Sequence, residues 1–171
     1  MRKENTMKRI IALIAVLAIV PCVAFAGWFS NSPEMKLASD AYFAVKSVAV
    51  YSTGADGKSK FTDVLSGNKV FMKCDSFSRT AIDALLHKGA DPKDIWLVYA
   101  KVPVKGFSFV NYGNGWQRRK AIGHNLVLYK GIAIDNKWGA IEVKELEWEY
   151  IFMKKQNLVT GEWVEWDWRN I

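Results

Sequence analysis

Apolar positions recur along this chain in three rhythms, which divide it into a leader, a helical part and a strand-rich part. Ile10 to Val20 is an unbroken apolar run. Further on, Met35, Ala38, Tyr42, Val45 and Ala49 fall on one face at helical spacing, predicting a helix of about four turns. Ser32-Pro33-Glu34 opens it with a hydroxyl N-cap, a proline at the first helical position and an acid in the first turn. Ser52 to Lys60 is polar and glycine-bearing and reads as a loop. Thr62 to Leu65 reads as a short helical turn, broken by Ser66-Gly67-Asn68. A second helix is predicted from about Cys74 to Lys88, with Cys74, Phe77, Ser78, Ala81, Ile82 and Leu85 on a single face. Asp75 sits in its first turn, His87 and Lys88 in its last, and Gly89 stops it. His87 is thereby explained by the helix dipole, without a chemical role.

After Asp91-Pro92 the rhythm changes to that of strands. Ile95 to Val102 is continuous and β-rich, the mark of a central strand. Gly106 to Gly123 reads as a glycine- and aromatic-rich connection. His124 to Tyr129 and Ile132 to Asn136 form two strands around Lys130-Gly131, and Ile141 to Trp168 supplies two or three more around Thr160-Gly161. Val164, Trp166 and Trp168 share one face, as in a core-facing or edge strand; an aromatic binding surface is the alternative. Helices first and strands later predict an α+β fold, with the cysteine-bearing helix packed on a mostly antiparallel sheet.

The apolar run near the N-terminus changes the picture of where the protein works. Arg2, Lys3, Lys8 and Arg9 precede it, Pro21 breaks it, and Ala24-Phe25-Ala26 gives a small-x-small cleavage pattern before Gly27. Residues 1–26 thus read as a secretory signal, with Met7 an alternative start, and the run is too short for a membrane anchor. Cys22 is expected to leave with it, since Ile19-Val20-Pro21 does not resemble a lipoprotein box. The remaining 145 residues, Gly27 to Ile171, suffice for one domain, periplasmic or secreted. The leader holds four basic residues and one acid, so its removal takes the formal charge from +7 to +4. That charge is spread along the chain; Gln117-Arg118-Arg119-Lys120 is its densest basic cluster and reads as solvated loop, and nucleic acid is not favoured as a partner.

One cysteine then remains, Cys74, and an odd cysteine in an exported protein suggests a reactive thiol. Its predicted place at a helix N-terminus favours the thiolate. His124 is the only histidine able to pair with it, because His87 lies about 20 Å away along the same helix. If Lys130-Gly131 is a two-residue turn, Tyr129 pairs with Ile132 and Leu126 with Asp135. Asp135 is then the diagonal neighbour of His124 on the same face. A one-residue slip would remove Asp135 and offer Asn136 as the group orienting the imidazole. The three residues predict a thiolate–imidazole–carboxylate triad. The bland alternative is a small core cysteine with a structural histidine; a zinc site of the same three ligands lacks a further ligand motif.

At these residues the chain resembles the bacterial transglutaminase-like cysteine peptidases of the papain-like superfamily. The similar stretches are Cys74-Asp75-Ser76-Phe77-Ser78-Arg79-Thr80-Ala81, Lys88-Gly89-Ala90-Asp91-Pro92 leading to Ile95-Trp96-Leu97-Val98-Tyr99, Gly123-His124-Asn125-Leu126-Val127-Leu128, and Ile134-Asp135-Asn136. Tyr150 and Trp163 match aromatic positions near the family's C-terminal end. The resemblance implies a papain/transglutaminase-like fold and an exported peptidase acting on a protein or peptide, with Cys74 as nucleophile, His124 as general base and acid, and Asp135 as orienter. It also implies calcium held by acids flanking the cysteine. Lys73 and Ser76 stand where acids are usual, so no cofactor is expected. A weaker resemblance is to peptidoglycan-cleaving peptidases, which makes cell-wall peptide the second substrate class. A binding module on the same fold, without catalysis, is the non-enzymatic alternative.

Overall fold

In the computed structural model, residues 32–103, 109–111, 116–118, 121–146 and 152–167 are described. The proposed leader, half of the Gly106–Gly123 connection (Arg119 and Lys120 included), Tyr150 and Trp168 lie outside them. No helix among the described residues is long and apolar enough to cross a membrane.

The first helix, α1 (Pro33–Lys46), buries Met35, Ala38, Ala41 and Val45, close to the face its periodicity predicts. It stops three residues before Ala49, where the apolar rhythm suggested it would continue. Ala49 instead begins β1 (Ala49–Tyr51), which pairs in parallel with β2 (Val70–Met72). The Val70 N–H donates to the Val48 carbonyl at 2.9 Å, so strand pairing takes the backbone groups that helix continuation would have used. Between them lie the Ser52–Lys60 loop and the short helix α2 (Phe61–Leu65). The third helix, α3 (Cys74–His87), matches its sequence signature. Phe77, Ser78, Ala81, Ile82 and Leu85 are buried, and burial of each large apolar side chain contributes about 1.5–3 kcal/mol.

The remaining strands form an antiparallel sheet of six in the order β10 (Trp163–Glu165), β9 (Phe152–Asn157), β3 (Ile95–Pro103), β6 (Ala121–Tyr129), β7 (Ile132–Asp135), β8 (Gly139–Glu142). The fold is therefore α+β. β3 is interior, as its continuous apolar run predicted, and β10 is the edge strand expected of the aromatic tail. Two short strands, β4 (Phe109–Asn111) and β5 (Trp116–Arg118), make a separate antiparallel pair within the predicted connection. β6 also begins three residues earlier than the sequence suggested, taking in Gly123.

Both faces of the middle of the sheet are buried. Ile95, Leu97, Val127, Tyr129, Ile132 and Ile134 meet α1 and α3 on one side. Val98, Leu126, Leu128 and Ala133 meet Val143 and Leu146 on the other, with Trp96 and Trp166 packed against them. The β6–β7 hairpin has the predicted register, Tyr129 opposite Ile132 and Val127 opposite Ile134. Lys130 and Gly131 have φ of 46° and 79°, the paired positive angles of a type I′ turn, so this two-residue turn sets the parity of every position beyond it.

Candidate active site

Cys74 occupies the first helical position of α3, where backbone N–H groups lack acceptors and the macrodipole favours an anion. The helix start is fixed by its own side chains. The Lys73 N–H donates to Ser76 Oγ at 2.8 Å, and fully buried Ser76 thereby serves as a cap rather than as a metal-binding substitute. The loop before it is tied on as well, through Lys60 N–H to Thr80 Oγ1 at 2.9 Å and a Ser59–Asp83 hydrogen bond. At Gly57 the loop presses closely against the start of α3. A Cβ there would lie 2.6 Å from Asp75 Oδ2 and 3.2 Å from Lys73 Cε, and its φ of +75° suits glycine as well.

The structure brings the three sequence-predicted residues together from three elements. Cys74 comes from α3, His124 from β6 and Asp135 from the last position of β7. The paired ladder between β6 and β7 ends at Val127–Ile134. Beyond it, His124 Nε2 bonds to Asp135 Oδ2, so a side-chain pair closes the hairpin where backbone pairing stops. With Nε2 committed, Nδ1 is the nitrogen left for the Cys74 thiol, which is hydrogen-bonded to this imidazole. Asn136 does not take the orienting role: its Oδ1 is buried with no hydrogen-bond partner while Asp135 holds the ring. His87 packs its ring on Phe61, 5.2 Å between centroids, and stands apart from the constellation.

Asp135 is fully buried, and an ionised carboxylate there is costly unless its oxygens are satisfied. They are. Oδ1 accepts the N–H of Lys137 at 2.6 Å and of Trp138 at 3.2 Å, while Oδ2 takes His124. The same side chain thus closes the turn after β7 and orients the histidine. Tyr42 of α1 lies near this carboxylate; burial, then the negative charge of Asp135, raises its phenol above the usual range.

Opposing effects set the protonation of the pair. Burial pushes the Cys74 thiol up, but the hydrogen bond from His124, the Asn125 N–H, the His124 charge and the Asp75 N–H together bring it below its ordinary value. Burial likewise pushes His124 down, yet hydrogen bonds to Asp135 and Cys74, with their charges, carry it up to about 9. Both movements favour thiolate beside imidazolium at neutral pH. The Asn125 N–H is a contributor that no sequence motif announced, since it depends on how β6 passes the helix end.

A zinc ion does not fit these three ligands. The imidazole stands between thiol and carboxylate and uses one nitrogen for each, so the donors diverge instead of converging on one point. Calcium fits poorly as well. Of the acids expected beside the cysteine only Asp75 is present; it is bonded to Arg79 at 3.1 Å, and the Lys73 side chain borders the same spot at Gly57. Among the described residues no three His, Cys, Asp or Glu side chains group to hold a metal ion.

No protein-family model matches the chain, and no curated protein matches it.

Proposed function

We propose that this protein is an exported cysteine peptidase of the transglutaminase-like, papain-like kind, hydrolysing a peptide or isopeptide bond through Cys74, His124 and Asp135. One observation carries the reading: a free thiol at a helix N-terminus is hydrogen-bonded to an imidazole whose other nitrogen is held by a buried carboxylate. A structural cysteine needs neither partner.

The chemistry follows from the protonation states. The Cys74 thiolate attacks the substrate carbonyl carbon, and the unpaired N–H of its own residue faces the developing oxyanion. The C–N bond then breaks as the His124 imidazolium gives its proton to the leaving amine, and an acyl thioester remains. Neutral His124 next takes a proton from water, whose oxygen attacks the thioester carbon. The acid departs, and the thiolate–imidazolium pair is restored. Asp135 keeps the ring oriented and its charge stabilises the imidazolium in both steps.

Casein peptides incubated with the purified protein test this. New N-termini appearing with wild-type protein, and none with Cys74→Ala, are expected, because no second thiol is present in the mature chain. Intact peptides with both proteins would contradict it and favour a binding module.

Activity is also expected to survive EGTA. A lysine ammonium beside a divalent-ion site is repulsive, and Lys73 stands next to the single flanking acid. Loss on chelation with recovery on adding calcium would show that carboxylates elsewhere rebuild an ion site.

A further inference from the structure

Next to the nucleophile, between the end of α1, the β1–β2 ribbon and the start of α3, lies a small open recess. Its position relative to the triad is given by two neighbours in the chain: Lys73 immediately precedes Cys74, and Asn136 immediately follows Asp135. Ala49, Met72 and Phe77 give it an apolar floor. Two ammonium groups border it, Lys73 and Lys46, and no carboxylate does. Lys46 Nζ makes a long 3.4 Å hydrogen bond to the Asn136 carbonyl, and neither lysine has an ion-pair partner among the described residues. Asp75 bonds Arg79 through Oδ1 and keeps Oδ2 near Lys73 on the Gly57 side, outside the lining of the recess.

The third polar group is unpaired. Asn136 Oδ1 is buried without a hydrogen bond, an unfavourable state, and is closed to solvent and ligand alike. Two cations and an apolar floor beside a nucleophile together describe a ligand with a carboxylate and a short aliphatic stem. Tyr51, 66 % exposed, shares the face of Met72 and continues the apolar surface outward along the ribbon.

We propose that this recess selects a carboxylate-bearing residue of the substrate peptide, its carboxylate between Lys46 and Lys73 and its stem over Met72 and Phe77. The proposal deepens the peptidase reading and rests on it for the identity of the ligand as substrate. The carboxylate has two sources, an acidic side chain or a free chain end.

Acetyl-Ala-Ala-Glu and acetyl-Ala-Ala-Gln chloromethyl ketones distinguish charge from shape. Each reacts when the Cys74 thiolate displaces chloride and forms a thioether. The glutamyl probe is expected to inactivate about tenfold faster or more, and Lys46→Met, which keeps the aliphatic stem, is expected to bring the two rates together. Equal rates with wild-type protein, together with no carboxylate preference in the calorimetry that follows, would overturn the proposal and leave the peptidase reading untouched. Calorimetry on Cys74→Ala separates the two ideas from the other side. Preferential binding of acetyl-Ala-Glu-Ala-amide over its glutamine counterpart identifies a side-chain carboxylate. Preferential binding of acetyl-Ala-Ala-Ala with a free carboxylate over its amide identifies a chain end. If neither chloromethyl ketone reacts while such a preference persists, the recess stands and the peptidase reading falls. With no preference for either carboxylate, the proposal is wrong.

Discussion

Replacing His124 by alanine is expected to lower kcat/KM by about 10⁴-fold or more, close to the effect of removing the thiol itself. Two losses combine. The leaving amine has no proton donor, and Cys74 loses the hydrogen bond and positive charge that offset its burial. An ordinary free cysteine, with a pKa near 8.5, is only about 0.3 % ionised at pH 6, and uncompensated burial lowers that fraction further for Cys74. Alanine also strips the buried Asp135 of the partner on Oδ2, so some destabilisation is expected alongside. His124→Gln, which retains a donor for Asp135, separates the two effects: it should recover stability in thermal unfolding without recovering turnover. Recovery of turnover in the glutamine variant would show that the imidazole acts by packing alone.

Asp135→Asn is expected to cost about 10²–10⁴-fold in kcat/KM, toward the upper end because of its surroundings. An aspartate accepts on both oxygens, and this one does: two backbone N–H groups on Oδ1 and His124 on Oδ2. An asparagine has one oxygen to offer. If that oxygen serves the turn, the NH₂ faces His124 Nε2 and requires it to accept. The ring is then neutral with its proton on Nδ1, toward the thiol, and the ion pair is lost. If the oxygen serves His124, the NH₂ faces two backbone donors. Either way the imidazolium is less stabilised, so the alkaline limb of the pH–rate profile should move down from about 9. A silent Asp135→Asn together with a crippling Asn136→Ala would mean that the other residue orients the ring.

The chain announced this site more clearly than most of the scaffold around it. α3 was legible because its period, its first-turn acid and its terminal glycine agree. The His124–Asp135 relation was legible because Lys130-Gly131 is a turn with fixed parity, and parity carries outward from the turn without knowledge of the rest of the fold. The β1–β2 ribbon was not legible. Each strand is three residues long, and its partner lies across a polar loop, so no local period marks it. The end of α1 at Lys46 was missed for the same reason, since a long-range pairing overrode a local apolar rhythm. Lys46, Tyr42 and the Asn125 N–H reach the site only through tertiary packing. The Asn136 alternative failed for a different reason. It depended on a register slip that the turn forbids.

The rate of Cys74 alkylation by iodoacetamide across pH 4–10 tests the central claim most directly, because it reads the thiolate without any substrate. The thiol is brought below its ordinary value and the imidazole is carried up to about 9. Thiolate is therefore expected well below the range of a free cysteine, with a second change in reactivity near pH 9 as the imidazolium loses its proton. The expected result is alkylation at pH 6 faster than that of a model thiol, with the advantage lost in His124→Gln. An alkylation rate that rises along a single titration near pH 8.5, and is the same in His124→Gln, would contradict the ion pair and return Cys74 to a structural role.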